Sequence, residues 1–526
     1  MRILVSDSIA EEGLNILKEE KAIEVAVNTK LKPDELKEVI KDFDALVVRS
    51  STKVTRDIIE NASRLKVIGR AGTGLDNVDA DAATKKGIIV MNTPGGNTIS
   101  TAEHTFSLIL ALSRKIPQAV ASIKRGEWDR KSFMGIELFQ KVLGILGLGR
   151  IGSEVAKRAI SFGMKPVAFD PYLSEETAKE IEVELVDFEK LLKISDYITV
   201  HTPLSNETRY IIDEEEFKLM KDGARIINCA RGGIINERAL YSAITSGKIA
   251  GAALDVLEEE PPKDNPLLKL ENVIITPHLG ASTEEAQISV AIDIARQVLD
   301  ALLGRGIRNA VNVPCVEGEL LKHIKPFIEL AEKTGLLISQ IAEGRIREVK
   351  IRYSGDITAH DIKPVTIALV KGLLSPVLME NVNYVNATCL AKERGINITE
   401  SKLTQIEDFV NLIAADVITD KSRCSVYGTL FANKEPRIVK INEFYVDLIP
   451  SGSLLVISNI DKPGIVGYIG TLMGSHNINI ANMTFGRVVP GGKAITVLNL
   501  DNVVPREILD EVKKGKNIID AKLIKL

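Results

Sequence analysis

The sequence predicts an α/β protein built from two doubly wound parallel-sheet units in tandem, followed by an α+β region that closes in a βαββαβ unit. Three observations carry that prediction. Short apolar runs alternate with amphipathic stretches from the N-terminus to about residue 303. A GxGxxG segment joins one of those apolar runs to a helical stretch. Beyond Val316 the alternation becomes irregular, then resumes near the C-terminus in a different order.

The first unit reads as strands Ile3–Ser6, Ala45–Arg49, Lys66–Gly69 and Ile88–Met91, with helices such as Ala10–Glu19 and Pro33–Ile40 between them. Strands separated by helices pair in parallel and are covered on both faces. A long helical pattern, Thr98–Ser113, leads to the second unit. Its strands read Val142–Leu146, Pro166–Phe169, Tyr197–Val200, Arg225–Asn228, Ala252–Asp255 and Val273–Thr276, and the helix Thr283–Leu303 closes it. Glu319–Ala342 predicts a long helix, and the region up to Pro450 shows no catalytic cluster. The last segment reads strand Leu454–Ser458, helix Gly464–Ser475, strands Ile478–Arg487 and Ala494–Leu500, helix Pro505–Val512, strand Ala521–Lys525.

Size and composition exclude several classes. At 526 residues the chain exceeds one hydrophobic core. A formal net charge of −4, with basic residues spread along the chain, makes no case for nucleic acid. Cys229, Cys315, Cys389 and Cys424 are scattered without a CxxC pair, as free thiols in a reducing compartment would be. No metal site is expected. The N-terminus has no signal-peptide core, and no apolar run reaches the roughly 18 residues that span a bilayer. A soluble, cytoplasmic protein is expected.

Gly147-Leu148-Gly149-Arg150-Ile151-Gly152 lies between a strand and a helical stretch, the context a dinucleotide site requires. Gly147 permits the turn, Gly149 lets a pyrophosphate approach, and Gly152 lets helix and strand pack closely. The helix start offers unpaired N–H groups to phosphate. Asp170 ends the next strand, about 20 residues beyond the motif, where a carboxylate accepts from the ribose hydroxyls and repels a 2′-phosphate. Pro171 follows rather than an arginine, so NAD is expected over NADP.

In an open parallel sheet, ligands sit beyond the carboxyl ends of the strands. In the second unit those ends run into His201-Thr202-Pro203, Cys229-Ala230-Arg231-Gly232-Gly233, Val256-Leu257-Glu258-Glu259-Glu260 and Pro277-His278-Leu279-Gly280. An arginine, a glutamate and a histidine beside a nicotinamide suit hydride transfer at a 2-hydroxy acid. Arg231 can hold the substrate carboxylate through paired bonds, and its two following glycines suit a backbone pressed against a ligand. His278 can take or return the hydroxyl proton. A carboxylate on its other nitrogen would fix the tautomer, and Glu258, Glu259 and Glu260 all compete for that place. Of the other histidines, His104 reads as packing within a helix, His201 as cofactor-loop geometry, and His323, His360 and His476 as incidental.

The segments VVRSSTKVT, GRAGTGLDNVD, MNTPGGNT, LGILGLGRIG, HTPL, NCARGG, ALDVLEEEPP and TPHLGAS resemble the D-isomer-specific 2-hydroxyacid dehydrogenase family across residues 1–315. The resemblance selects Glu260 as the partner of His278 and gives Arg231 the substrate carboxylate. It implies cofactor contacts at Thr73, Arg150, Ile151, Asp170, Thr202, Cys229, Ala230, Arg231, Asp255, His278 and Gly280. The whole chain is similar to the long form of that family, which carries an intervening domain and a C-terminal ACT domain. That implies a substrate-binding domain over 1–98 and 285–315, an NAD-binding Rossmann domain over 99–284, an intervening domain over 316–450 that resembles an allosteric substrate-binding domain, and a ferredoxin-like ACT domain over 451–526. VNATCLAKERGI, in the intervening region, resembles the long form as well and receives no chemistry here.

The implied reaction is oxidation of 3-phospho-D-glycerate to 3-phosphohydroxypyruvate with NAD, the first step of L-serine biosynthesis. A phosphorylated substrate needs cations, and Arg49, Lys53, Arg70, Arg130 and Lys131 supply them, with Arg49, Arg70 and Arg130 the leading candidates beside Gly72 and Gly74. Asn459, Asp461 and Asn479 are the candidate ligands of an L-serine effector held between paired ACT domains. A homo-oligomer, dimer or tetramer, is expected. Two other readings share the core: a glyoxylate or hydroxypyruvate reductase, and an NAD-sensing regulatory protein on the same fold.

Overall fold

Every strand of the first two sheets runs parallel to its neighbours, so each sheet presents its chemistry at one edge. The computed structural model describes residues 1–378, 381–403, 409–502 and 504–526. The first sheet contains β1 (Arg2–Val5), β2 (Glu24–Val27), β3 (Ala45–Val48), β4 (Val67–Arg70) and β5 (Ile89–Met91) in the order β2-β1-β3-β4-β5. These strands are continuous apolar runs because both faces are covered. The helix Glu284–Leu302 returns to this sheet, burying Val290, Ile294, Val298 and Leu299 against Ile3, Val5, Val47 and Val67.

The second sheet holds β6 (Val142–Leu146), β7 (Lys165–Phe169), β8 (Glu184–Leu185), β9 (Tyr197–Val200), β10 (Ala224–Asn228), β11 (Ile249–Leu254) and β12 (Val273–Ile275). Its order, β12-β11-β10-β9-β6-β7-β8, reverses between β6 and β9, which opens a crevice at the tip of β6. The helix Thr98–Arg114 packs Ala102, Phe106 and Ile109 into the core of this sheet.

After a short antiparallel pair, β13 (Gly306–Ile307) and β14 (Val316–Glu317), comes the long helix Gly318–Ile341. It lies against a mixed sheet of β15 (Ile346–Ser354), β16 (Asn397–Leu403), β17 (Leu412–Thr419), β18 (Arg423–Phe431), β19 (Glu435–Ile441) and β20 (Phe444–Leu448), ordered β16-β15-β17-β18-β19-β20. The final sheet is antiparallel, with β21 (Ser453–Ile460), β22 (Ile480–Arg487), β23 (Lys493–Leu500) and β24 (Ile518–Lys525) in the order β22-β23-β21-β24. The helices Ile465–Ser475 and Arg506–Lys513 complete the expected βαββαβ order. On β21, Leu455 and Ile457 face those helices, whereas Leu454 and Val456 join the core containing Leu330 and Val426. The last two sheets therefore share one hydrophobic core.

The intervening region is also tied to the first sheet. Asn383 Nδ2 donates to the Gly87 carbonyl at 2.8 Å, and Lys85 pairs with Glu393 at 2.7 Å. Tyr384 and Lys371 both hydrogen-bond Glu332 of the long helix. This gives VNATCLAKERGI a structural place: Asn386 holds the turn by accepting from Asn383 N–H at 2.7 Å.

Candidate active site

A cleft of about 780 Å³ lies between the tips of the first two sheets and the helix Glu284–Leu302. From the first sheet come Arg49, Arg70, Gly72, Thr73, Gly74 and Asp76; from the second, Ile151, Thr202, Cys229, Ala230, Arg231, Asp255, Glu260, His278 and Gly280. Parallel topology gathers these side chains from loops far apart in sequence.

His278 and Glu260 are in contact, and Arg231 lines the same cleft. His278 Nδ1 lies 2.8 Å from Glu260 Oε2. Glu260 Oε1 accepts from Leu257 N–H at 3.0 Å, which fixes the carboxylate and leaves His278 Nε2 for a ligand. Its two neighbours point elsewhere: Glu258 accepts from Tyr210 Oη at 2.8 Å, and Glu259 pairs with Lys263 at 3.1 Å. The hydrogen bond to Glu260 raises the His278 pKa above its ordinary 6.5, against a smaller effect of burial. Burial pushes the Glu260 carboxyl up, but the bonds from His278 and Leu257 outweigh it and hold the group below the usual range.

Asp255 organises the loop that carries His278. Its Oδ1 accepts from Thr276 Oγ1 at 2.6 Å and Leu279 N–H at 2.8 Å and meets His104 Nε2 at 3.1 Å; its Oδ2 accepts from Gly280 N–H at 2.8 Å. The helix histidine expected only to pack is thus part of this network.

Three guanidinium groups line the cleft. Arg70 is pulled down to about 10, by burial first and then by the positive charge of Arg231. Burial also lowers Arg49, whose loop is held by Asp7 accepting from Arg49 N–H at 2.6 Å. Arg231 donates through Nε to Asp76 Oδ2 at 2.9 Å and through Nη1 to its neighbour's carbonyl, Ala230 O, at 2.6 Å. Arg231 lies so close over Gly74 that a Cβ there would sit 1.9 Å from Nη2, and a Cβ at Gly72 would sit 2.0 Å from Arg70 Nη1.

Two expected residues have other local surroundings. Gly232 is demanded by close packing of two loops, since a Cβ there would meet the Leu257 carbonyl oxygen at 2.0 Å. Arg130 does not line the cleft of its own chain. It lies on an exposed segment with its guanidinium 5.8 Å from the Trp128 ring centre.

The dinucleotide residues fit NAD. Gly147 adopts φ +90°, which turns β6 sharply into the helix Arg150–Ser161. Gly152 packs on Gly147, where a Cβ would fall 2.2 Å from its carbonyl oxygen, whereas a Cβ at Gly149 would meet nothing within 4 Å. The second glycine therefore faces open space at the helix start, as a pyrophosphate needs. Asp170 closes the turn by accepting from Leu148 N–H at 2.9 Å. Around the cleft, buried Arg70 Nε, His201 Nδ1 and Thr202 Oγ1 lack protein partners, which marks them as groups awaiting a ligand. Burial takes His201 down to about 3, so its imidazole is neutral, and pushes the Cys229 thiol up to about 12, so that cysteine is unreactive. Thr73 Oγ1 donates to Asn97 Oδ1 at 2.7 Å.

The three effector candidates do not converge within one chain. Asn459 is buried and accepts from Thr496 at 2.9 Å. Asp461 accepts from Arg487 at 2.7 Å and from Gly491 N–H at 3.1 Å. Asn479 donates to Asp501 at 2.6 Å. Strand register puts Arg487 beside Ala494 and Ile480 beside Leu500, so Asp461 and Asn479 lie at opposite ends of the sheet. The reason is the crossover: β21 and β22 both run antiparallel to β23, and the helix Ile465–Ser475 carries the chain from the end of β21 back to the start of β22.

Sequence reasoning missed Asp76, Asp7 and His104. Reading the tips of the first sheet as closely as those of the second would have found Asp76 and Asp7. His104 carried no local signal, because its partners lie more than 150 residues away.

Comparison with known proteins follows from this geometry. Residues 106–280 match the NAD binding domain of D-isomer specific 2-hydroxyacid dehydrogenases, and residues 323–442 match the D-3-phosphoglycerate dehydrogenase intervening domain. A D-3-phosphoglycerate dehydrogenase of Methanocaldococcus jannaschii is 50% identical over 100% of both chains. One of Bacillus subtilis is 46% identical over 100% of this chain and 99% of its own. Among solved structures, a D-lactate dehydrogenase of Aquifex aeolicus complexed with NAD and lactic acid covers 59% of this chain and 100% of its own, with a TM-score of 0.53 and 31% identity.

Proposed function

The chain belongs to the D-3-phosphoglycerate dehydrogenases, and from that premise we propose that it oxidises 3-phospho-D-glycerate to 3-phosphohydroxypyruvate, at the entry to L-serine formation, using Arg231, Glu260 and His278. The observation that carries this reading is the His278–Glu260 hydrogen bond in a cleft that also holds Arg49, Arg70 and Arg231.

NAD is the cofactor, and bound in the cleft it accepts or returns the hydride. Gly147, Gly149 and Gly152 with the helix start at Arg150 and Ile151 would hold its pyrophosphate, Asp170 its ribose, and Thr73, Thr202, Cys229, Ala230, Asp255 and Gly280 its remaining edges. Arg231 binds the substrate carboxylate and draws electron density from the reacting carbon. His278 Nε2 takes the hydroxyl proton during oxidation and returns it to the carbonyl oxygen during reduction. Glu260 fixes the tautomer and stabilises the imidazolium. Arg49 and Arg70, with Gly72 and Gly74 keeping the cleft open beside them, receive the phosphate. Arg130 would serve only if a second chain presented it.

L-serine is the proposed effector, held between Asp461 of one chain and Asn479 of another, with Asn459 shaping the strand between. A dimer or tetramer follows, since one chain cannot complete that site. Scattered free cysteines favour the cytoplasm; no helix among the described residues is long and apolar enough to cross a membrane.

The test follows NADH absorbance with phosphohydroxypyruvate, hydroxypyruvate and glyoxylate side by side. Two added charge-assisted contacts predict a preference of about a hundredfold or more in kcat/KM for the phosphorylated substrate. Comparable values for all three would point instead to a general 2-oxo acid reductase.

A further inference from the structure

We infer that Asp76 is an internal stand-in for the substrate carboxylate, occupying Arg231 until substrate displaces it, and so sets substrate affinity. The inference rests on the reading that Arg231 binds that carboxylate. Asp76 stands on the loop after β4 of the first sheet, and Arg231 on the loop after β10 of the second. Their 2.9 Å contact through Arg231 Nε therefore crosses the cleft.

The geometry is that of a competitor. Asp76 offers the same functional group as a 2-hydroxy acid, to the same guanidinium, inside the same cavity. With Nη1 committed to the Ala230 carbonyl, the edge formed by Nε and Nη2 is where a carboxylate can form its paired bonds. Asp76 holds one position of that edge. Its side chain is 70% exposed against 28% for Arg231, so it can swing into water when it leaves. Electrostatics give the contact a purpose. Arg231 and Arg49 each repel Arg70, and Asp76 is among the carboxylates that offset that repulsion before an anionic substrate arrives.

A competing carboxylate and an orienting one give opposite signs, so a single substitution separates them. Asp76→Asn keeps size and removes the charge. Its KM for phosphohydroxypyruvate should fall roughly threefold to fivefold, the scale of an exposed ion pair. The dissociation constant of oxamate, titrated calorimetrically into the NADH-loaded enzyme, should fall by a similar factor. A rise in either quantity would make Asp76 an orienting residue and overturn the inference, and so would no change. Arg231→Gln, measured alongside, keeps the two readings apart. If it leaves oxamate binding intact, Arg231 does not hold the carboxylate and the parent reading fails. If it weakens oxamate while Asp76→Asn does not strengthen it, only the present inference fails. In the Arg231→Gln background the effect of Asp76→Asn should vanish, because the two charges share one interaction.

Discussion

The cleft between the first two sheets and the candidate effector residues of the last sheet handle polar groups in opposite ways, although Arg352 Nε and Asn499 Oδ1 of the C-terminal sheets are also buried without partners. In the cleft, Arg70 Nε, His201 Nδ1 and Thr202 Oγ1 are buried without partners, three arginines are crowded together, and a histidine is left with one nitrogen free. In the C-terminal sheets, Asp461 is paired with Arg487, Asn479 with Asp501, and Asn459 with Thr496. Buried groups left unmade cost stability, and in a cleft they are the groups a ligand can complete. Asp461 and Asn479 are instead held by protein partners at opposite ends of their sheet. On the proposed reading the catalytic groups gather within one chain, whereas a ligand touching both effector candidates needs a second chain.

The strongest test of that contrast is at His278. His278→Ala removes the proton acceptor and should lower kcat about a thousandfold, the scale of general acid–base catalysis, while NADH binding followed by fluorescence changes little. A variant retaining most of its turnover would mean that the cleft is not preorganised around this imidazole. Glu260→Gln should cost less, about thirtyfold, and should alter the pH profile. Oxidation uses the neutral imidazole, so its rate rises as pH climbs through the raised His278 value; reduction uses the imidazolium and falls there. Losing the Glu260 charge should move the oxidation limb to lower pH. An unmoved limb in Glu260→Gln would assign that titration to another group.

The same contrast explains what could be read from the sequence. In a parallel sheet every strand delivers its carboxyl end to one edge, so a list of residues after β6, β9, β10, β11 and β12 is already a list of neighbours. Arg231 and His278 were legible for that reason, whereas Glu260 was separated from Glu258 and Glu259 by the family resemblance. The nucleotide loop was legible too, because each glycine answers to a separate steric demand. In the last sheet a helix crosses from the end of β21 to the start of β22, which runs in the same direction, so Asp461 and Asn479, on either side of that helix, separated. Edge elements were also hard to see. β2 reads Glu-Val-Ala-Val, short and half exposed, with too few apolar residues to mark a strand. The helix Ile116–Lys124 was hidden behind a left-handed Lys115, which breaks the preceding helical pattern at an ordinary residue. Asp76 went unread because a lone aspartate in a glycine-rich loop looks like turn chemistry.

At the C-terminal end the expected effects are smaller. Asp461→Ala should raise the concentration of L-serine needed for half-inhibition about tenfold and leave turnover without serine unchanged, since the Asp461 side chain accepts from Arg487 and Gly491, both within the terminal βαββαβ unit. Equal serine sensitivity in wild type and variant would remove Asp461 from the effector site. It would also show that the satisfied polar pairs of this sheet are structural.

The smallest effect concerns the joint between the two regions. The helix Ala80–Lys86 follows the loop that carries Gly72, Gly74 and Asp76, and its C-terminal Gly87 carbonyl receives Asn383 from the intervening region. A left-handed Gly87 at φ +80° leaves room for this contact, since a Cβ there would lie 2.1 Å from Asn383 Nδ2. Asn383→Ala deletes the donor to Gly87 and also the acceptor of the Val385 and Asn386 N–H groups in its own turn, a loss of roughly 1–3 kcal/mol. Hydrogen exchange should speed up modestly across Ala80–Lys86, with the Lys85–Glu393 pair limiting the change. Substrate KM should shift by less than about twofold, because the substrate loop is also held by Asn77 donating to the carbonyls of Arg49 and Thr52 at 2.8 and 2.7 Å. If exchange in that helix does not change, the Asn383 bond is a passive contact, and the Lys85–Glu393 pair is what ties the helix to the intervening region.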